Sequence, residues 1–141
     1  MINGIRVDAL KIFQVTEGDV MHALKEEEDS FIRFGEAYFS NIKYKSIKAW
    51  KRHTQMTLNL VVPVGEIKFV FYDDRNFSSG EFYEITLSKK NYCRITVPPM
   101  IWMGFQGLSE ETSTLLNIAD ISHDPLEVER LPFEKIKYNW L

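Results

Sequence analysis

Apolar and polar residues alternate with a period of two along most of the chain, which is the pattern of β-strands with two different faces. Turn-forming residues separate the strand-like runs at 17–19, 65, 76–80, 89–91 and 109–111. The runs are IRVDALKIFQV, SFIRFGEAYFSNI, SIKAWKRHTQMTLNLVVPV, EIKFVFYDD, EFYEITLS, YCRITVPPMIWMGFQG and STLLNIADI. Regularly spaced short strands predict a β-sandwich or a β-barrel. We therefore expect an all-β fold in a single domain, 1–141.

Two short segments carry the signals of helices instead. Residues 19–27 begin with Asp19, a residue suited to cap a helix, and residues 124–130 carry Pro125 in their first turn. We expect a short helix at each place, with the charge run KEEED at 25–29 as a solvated helix end.

One run, residues 50–65, has a polar face in the part of the chain that favours β-structure most. Every second residue is polar in one register (His53, Gln55, Thr57, Asn59) and apolar in the other (Met56, Leu58, Leu60, Val62). Burying these polar groups unpaired would cost about 1–3 kcal/mol each. The face therefore either meets solvent or lines a cavity that holds water and a polar ligand, and a small barrel has room for one small ligand. Trp50 and Trp102 offer flat apolar surfaces suited to a sugar or a base.

Composition narrows the class of protein. Apolar residues make up 45% of the chain and charged residues 26%, which is typical of a folded domain. A net charge of −3 argues against nucleic acid as a partner. The single cysteine, Cys93, has no internal disulfide partner, so we expect a reducing compartment and a cytoplasmic protein. The sequence has no apolar run of 18 residues and no signal-peptide pattern, so we expect no membrane partner.

Five ordered segments are similar to one known family. They are EGDVMHAL at 17–24, IKAWKRHTQ at 47–55, VGEIKFVFYDDR at 64–75, EITLSKKNYCRITVPPMIWMGFQGLSE at 84–110 and the terminal KYNWL. Through them the sequence resembles the dTDP-4-dehydrorhamnose 3,5-epimerase family and its sugar-nucleotide relatives in the cupin superfamily. The resemblance implies a cupin-type jelly-roll barrel with one or two short helices. It also implies an epimerase or isomerase acting on a nucleotide-linked 4-keto-6-deoxy sugar in cell-surface polysaccharide synthesis.

The resemblance implies a mechanism in which His53 removes a proton from the carbon beside the ketone. Neutral imidazole suits proton transfer near pH 7, and the developing enolate needs a donor or a cation nearby. By the same resemblance Lys48, Lys51 and Arg52 are candidates to contact the enolate or the diphosphate. Strand alternation favours Lys51, because it shares the face of His53. Other expected site residues are the candidate acid Tyr38 and the substrate contacts Gln55, Thr57, Asn59, Trp50, Trp102 and Asn117.

The chain departs from the family's pattern at positions used for acid and enolate chemistry. The family's second histidine corresponds to Met103, its acid tyrosine to Leu116, and the lysine after its catalytic histidine to Leu58. The family's carboxylate partner lies beyond the tryptophan motif, so we expect His53 to lack one here. A ketoisomerase branch has a His-x-His strand, in which His53 matches the second histidine and Lys51 replaces the first. Isomerisation is therefore matched better than double epimerisation.

Three functions stay open from the sequence alone. They are an epimerase or isomerase, a non-catalytic sugar-nucleotide-binding cupin that lost the acid and dyad residues, and a different cupin activity. Metal-binding cupins use His-x-His, a following glutamate and a later histidine, whereas this chain has Gln55 and Met103 at such places. We therefore expect no metal and no cofactor. We also expect a homodimer by exchange of the N-terminal segment 5–15, which has no obvious hairpin partner in its own chain.

Overall fold

A computed structural model describes residues 1–78 and 80–141; Ser79, in the turn predicted at 76–80, lies outside the described residues. The strands are β1 (Arg6–Ala9), β2 (Ile12–Phe13), β3 (Val20–Met21), β4 (Glu36–Ile42), β5 (Ile47–His53), β6 (Leu58–Val64), β7 (Ile67–Asp73), β8 (Glu81–Leu87), β9 (Cys93–Val97), β10 (Trp102–Gly107), β11 (Ser113–Ala119) and β12 (Val128–Arg130). Two short 3₁₀ helices span Pro125–Glu127 and Phe133–Lys135.

Two five-stranded antiparallel sheets pack face to face. The first has the strand order β1-β9-β6-β11-β4 and the second has the order β12-β5-β10-β7-β8. Leu60 and Ile95 of the first sheet belong to the same buried apolar core as Phe69 and Phe71 of the second. This arrangement confirms the predicted all-β, cupin-type jelly roll.

The polar run at 50–65 is two strands in opposite sheets, not one continuous strand. β5 ends at His53 and β6 begins at Leu58. Three of the four amides between them donate to carboxylates: Gln55 N and Met56 N to Glu127 Oε2 (3.1 and 3.2 Å), and Thr57 N to Asp120 Oδ1 (2.8 Å). A change of sheet interrupts the alternation of side chains. The predicted polar face from His53 to Asn59 is therefore wrong.

Residues 19–27, predicted as a helix, form β3 and an irregular loop. Asp19 Oδ1 accepts from Val15 N at 3.3 Å and so stabilises the turn between β2 and β3. Further along, Lys25 N donates to the Glu28 carboxylate at 2.8 Å. Such local side-chain bonds compete with the hydrogen bonds of a helix.

Residues 124–130 are helical over only their first half. Pro125 begins a 3₁₀ turn as predicted, and Asp124 caps it by accepting from Leu126 N at 3.0 Å. The chain then extends and pairs with β5 as β12, with Val128 opposite His53. The edge of the second sheet thus satisfies backbone groups that a longer helix would have paired internally.

The N-terminal strand has a partner within its own chain. β1 pairs antiparallel with β9, from Arg6 opposite Thr96 to Ala9 opposite Cys93. β2 pairs with β3 in a separate two-stranded hairpin. The expectation that residues 5–15 lack a partner in the chain is therefore wrong.

The C-terminal segment covers the outer face of the second sheet. Ile136 and Trp140 pack there in a second buried cluster with Trp50, Val70 and Trp102. The indoles of Trp50 and Trp140 lie 5.6 Å apart between ring centres. This cluster is distinct from the core between the sheets, and it determines where two of the predicted site tryptophans lie.

Candidate active site

A cavity of about 430 Å³ lies between the two sheets, within the size range of small-molecule sites. The first sheet contributes side chains from β4, β6 and β11, and the second contributes them from β5, β10 and β12. The lining residues are Tyr38, Ser40, Lys48, Ala49, Trp50, Lys51, His53, Leu58, Leu60, Met103, Phe105, Leu115, Asn117, Arg130 and Leu131. Apolar side chains therefore surround a small set of polar and charged groups.

Lys48 reaches the cavity beside Lys51 and His53 because β5 contains a bulge. Met103 of β10 pairs with Lys51, but Phe105 pairs with Lys48, so β5 carries one extra residue over this stretch. A bulge redirects the side chains of its strand. Lys48 thereby joins the wall on which simple alternation already places Lys51 and His53.

His53 is buried and paired with a carboxylate. Its Nδ1 lies 2.5 Å from Glu127 Oε1, while Glu127 Oε2 accepts from the amides of Gln55 and Met56. Because this carboxylate accepts at both oxygens, the imidazole carries its proton on Nδ1 and presents a free lone pair at Nε2. Nε2 is buried and has no hydrogen-bond partner among the residues that the structure describes.

Burial and hydrogen bonding set the charges of this pair. Burial lowers the pKa of His53, and the hydrogen bond and charge of Glu127 only partly offset it, so the pKa lies below 6.5. Burial acts to raise the pKa of Glu127, but the hydrogen bonds from His53 and from two amides outweigh it and hold the pKa below 4.5. Near pH 7 the pair is therefore neutral imidazole beside a carboxylate, the state in which Nε2 accepts a proton.

Positive charge is concentrated on the same wall. Lys51 of β5 lies directly opposite Arg130 of β12, and both line the cavity. Burial lowers the pKa of the Lys51 ammonium, and the charge of Arg130 lowers it further. Lys48 donates to the carbonyl of Asn41 at 2.7 Å and thereby links β5 to β4. Like charges directly opposite each other on a sheet destabilise it, so a bound anion would relieve the repulsion.

Tyr38 and Asn117 occupy the wall that faces His53. They lie opposite each other on β4 and β11 of the first sheet, whereas His53 belongs to the second. Asn117 Nδ2 donates to the Tyr38 hydroxyl at 3.0 Å. Because that bond uses a lone pair of the hydroxyl oxygen, the hydroxyl proton remains to be donated elsewhere.

The structure brings together six of the predicted site residues. His53, Tyr38, Lys51, Lys48, Trp50 and Asn117 all line the cavity. The indole of Trp50, however, is held in the outer cluster, where Nε1 donates to the carbonyl of Phe133 at 3.2 Å. Trp50 therefore lines the cavity, although its indole ring packs on the opposite face of the second sheet.

Gln55, Thr57, Asn59 and Trp102 are not among the lining residues, contrary to prediction. Gln55 and Thr57 lie in the connection between the sheets, where their amides bind carboxylates. Asn59 is buried between the carbonyl of Ser30 and the hydroxyl of Thr96, at 3.1 and 2.7 Å. Trp102 donates to Asp74 Oδ2 at 3.1 Å and lies under the guanidinium of Arg52, so its ring is fully used in packing.

Glu127 and Arg130 are the site residues that sequence reasoning missed. The expectation that His53 lacks a carboxylate partner is wrong, because Glu127 supplies one from within the chain. The segment was interpreted as a helix, which gave no reason to place these side chains beside β5. Its one usable signal is the alternation in LEVER, which suits a short strand. Among the departures noted from the family, Leu58 and Met103 do line the cavity as apolar residues.

Three further findings concern metals, membranes and thiols. Within residues 1–78 and 80–141, no three His, Cys, Asp or Glu side chains are grouped so that they could hold a metal ion. In the same ranges no helix is long and apolar enough to cross a membrane. Cys93 is a free thiol and is half-buried.

The chain is a cupin-type protein, a jelly roll whose cavity presents a carboxylate-backed histidine. No family model matches it. A dTDP sugar isomerase from Desulfovibrio desulfuricans G20 is 35% identical, with a TM-score of 0.95 over 99% of this chain and 92% of that one. The probable low-salt glycan biosynthesis epimerase Agl13 of Haloferax volcanii is 26% identical over 94% of this chain and 89% of its own length.

A more distant structure extends the likeness in fold. The dTDP-4-dehydrorhamnose 3,5-epimerase of Sulfolobus tokodaii is 19% identical, with a TM-score of 0.84 over 98% of this chain and 82% of that one. The chain belongs to the dTDP-4-dehydrorhamnose 3,5-epimerase-like family of sugar-nucleotide epimerases and isomerases.

Proposed function

We propose that this protein is an epimerase or isomerase of a nucleoside-diphosphate-linked 4-keto-6-deoxy sugar, acting in glycan or cell-surface polysaccharide synthesis. The observation that carries the proposal is the free Nε2 of His53. It is buried in the cavity, held by Glu127 through the opposite ring nitrogen, and faces Tyr38 on the other sheet. A neutral, oriented imidazole in a mostly apolar cavity is suited to remove a proton from carbon.

The first step is proton abstraction beside the ketone. His53 Nε2 takes the proton from the neighbouring carbon, and the electron pair of that C–H bond moves to form an enolate on the ketone oxygen. Lys51 stabilises this oxygen, since its ammonium is on the same wall as His53. Glu127 stabilises the imidazolium that forms, because its carboxylate is already bonded to Nδ1.

The second step determines the product. If Tyr38 donates its hydroxyl proton from the opposite wall, the carbon is inverted and the enzyme is an epimerase. His53 and Tyr38 then exchange protons with water before the next turnover. The placement of Tyr38 and His53 on facing sheets favours this outcome.

A second candidate function is a keto shift between neighbouring carbons. It is favoured by the placement of Lys51 two residues before His53, so that both side chains line the same wall. Proton removal and return on one face suffice for such a shift. Nuclear magnetic resonance of the product separates the two functions, because inversion keeps the ketone at C4 whereas isomerisation moves it.

The nucleotide-linked part of the substrate brings negative charge. Arg130 and Lys48 are the cavity cations not assigned to the reacting centre, and we propose that they contact the diphosphate. The non-catalytic alternative depends on the loss of both the acid and the carboxylate partner. It is weakened by Glu127, which supplies that partner.

The experiment follows deuterium from D₂O into the dTDP-, CDP-, GDP- and UDP-linked 4-keto-6-deoxy sugars. We expect exchange with at least one of them and a loss of about 10²–10⁴-fold in His53→Asn, with nucleotide affinity nearly unchanged. His123→Asn is the matched control, since His123 is exposed outside the cavity. Binding without exchange in every case would favour the non-catalytic cupin, and exchange that survives His53→Asn would identify another base.

We further propose a homodimer that works in the cytoplasm. The hairpin of β2 and β3 exposes Phe13, Val15 and Val20, which are 49%, 46% and 53% accessible and suit contact with a second copy. A free thiol at Cys93 fits a reducing compartment. Light scattering that gives a mass near 16.6 kDa, the mass of one chain, would count against the dimer.

A further inference from the structure

Asn117 has a buried side-chain amide, and in the described part of the chain only its nitrogen forms a hydrogen bond. It lies on β11, a strand paired on both sides, and is 2% exposed. Its Nδ2 donates to the hydroxyl of Tyr38. Its Oδ1 is buried and has no hydrogen-bond partner in the described part of the chain.

Asn59 shows that this fold satisfies a buried asparagine fully where the role is structural. It lies on the neighbouring strand β6 and is 5% exposed. Its Nδ2 donates to the carbonyl of Ser30 and its Oδ1 accepts from the hydroxyl of Thr96. Asn59 does not line the cavity, whereas Asn117 does. The unpaired oxygen is therefore found on the asparagine that lines the cavity.

Two close neighbours of Asn117 on the cavity wall are apolar and supply no donor for that oxygen. Its cross-strand partner on β6 is Leu60, and Leu115 lines the cavity two residues before it on β11. The bond from Nδ2 to Tyr38 holds one end of the amide against the hydroxyl, so the other end, Oδ1, points away from Tyr38. A buried acceptor without a donor is unfavourable, and an O–H group of a bound molecule removes that penalty.

We propose that Asn117 Oδ1 accepts a hydrogen bond from a ring hydroxyl of the sugar, at C2 or C3. Asn117 is then the residue that makes the enzyme selective for sugars retaining that hydroxyl. The inference rests on the proposed function, because it takes a nucleotide-linked sugar as the ligand. A site built to bind a hydroxyl rejects the analogue that lacks it, since the buried acceptor is then left unpaired.

The test compares the 4-keto-6-deoxy sugar nucleotide with its 2-deoxy and 3-deoxy analogues. We measure kcat/KM for deuterium exchange and, independently, Kd by calorimetry. For the wild-type protein we expect Kd to be lower for the hydroxylated sugar than for one analogue, by a factor on the order of 10–100. The comparison is made on Kd, because removal of the C3 hydroxyl also changes the carbon that reacts. In Asn117→Ala and Asn117→Leu that preference should fall to within about threefold. Both sugars should also react more slowly in these variants, because the Tyr38 hydroxyl no longer accepts a hydrogen bond from Asn117 Nδ2. Leucine keeps the volume of the side chain, so this variant retains the packing of the cavity wall.

Asn59→Ala is the matched control. It removes a buried amide of the neighbouring strand, so we expect lower stability with unchanged selectivity. Selectivity that persists in both Asn117 variants would overturn the inference, as would an equal loss of selectivity in Asn59→Ala. If the protein binds the sugar nucleotides without exchange, the proposed chemistry fails while the Kd ratio still decides the role of Asn117. Failure to bind any of them would overturn both.

Discussion

Replacing Glu127 with glutamine tests whether the carboxylate sets the tautomer of His53. The substitution keeps the shape of the side chain and changes one carboxylate oxygen into an NH₂ group. In the native protein one oxygen faces Nδ1 of His53 at 2.5 Å and the other faces the amides of Gln55 and Met56. An NH₂ group cannot accept from two amide donors, so the glutamine oxygen must take that position. The NH₂ group then points at Nδ1.

This orientation reverses the imidazole. A donor facing Nδ1 requires Nδ1 to be the acceptor, so the proton moves to Nε2, the atom that has to act as the base. The rate should fall by up to about 10⁴-fold, the loss known for a comparable change in a serine protease triad. Because the cavity itself is unchanged, substrate affinity should remain within a few-fold.

The pH dependence provides a second readout. In the wild-type protein the rate should rise with pH through the pKa of His53, which lies below 6.5, because only the neutral ring accepts a proton. Loss of the Glu127 charge removes an interaction that raises this pKa, so the pKa of the ring should be lower still in Glu127→Gln. The two assays are deuterium exchange from D₂O and ¹⁵N chemical shifts of the imidazole, which distinguish an Nδ1–H ring from an Nε2–H ring.

Glu129→Gln is the matched control for this experiment. Glu129 lies on β12, two residues after Glu127, but it is exposed and pairs with Arg52 at 3.0 Å instead of with a cavity residue. Its replacement should leave the exchange rate within about threefold of wild type, because a surface ion pair contributes about 0–1 kcal/mol. If Glu127→Gln exchanges within tenfold of wild type, or its imidazole still carries the proton on Nδ1, the reasoning is refuted.

Three further substitutions test acid stability, the enolate and a tight turn. Asp8 and Glu28 have pKa values held below 3.8 and 4.5, where hydrogen bonds and charges, including those of Arg94, outweigh burial. The stability that these two carboxylates contribute is complete above pH 4.5 and is lost as the pH falls through their lowered pKa values. Urea unfolding should therefore show the smallest difference in stability between Arg94→Met and wild type near pH 3. Lys51→Met should slow exchange by about 10–100-fold while circular dichroism stays native; an unchanged rate would remove Lys51 from the reaction. Gly65→Ala should destabilise the fold by about 1–3 kcal/mol in urea, because φ is +84° and an added Cβ would lie 2.2 Å from a serine hydroxyl oxygen; an unchanged midpoint would contradict this.

The order of residues along the chain was enough to predict the fold class and to single out His53. Side-chain direction along a strand is a local property, so a period of two between turn residues was enough to predict an all-β protein. The same local rule correctly put Lys51 and His53 on one face of β5. The ordered segments similar to the epimerase family then indicated the chemistry, and the structural relatives support that family.

The alternation was misleading where the chain leaves one sheet for the other. From Gln55 to Thr57 the amides bind carboxylates that are distant in sequence, and no local pattern marks that change of partner. Extending the period across this connection placed Asn59 in the cavity, whereas the structure places it on the other side of the first sheet with both amide atoms satisfied. The error follows from treating two strands as one.

The carboxylate that pairs with His53 and the residues that face the imidazole follow from contacts between distant parts of the chain. Glu127 lies 74 positions from His53 in the chain, and it reaches the ring because a three-residue strand pairs with the edge of the second sheet. A strand that short has almost no sequence signature, since its pairing energy comes from the neighbouring strand. Asn117 and Asn59 are two buried asparagines of identical chemistry, and the sequence alone does not distinguish their roles. Which of them keeps a free acceptor depends on the side of the sheet it faces and on the groups packed there, and these are properties of the assembled fold.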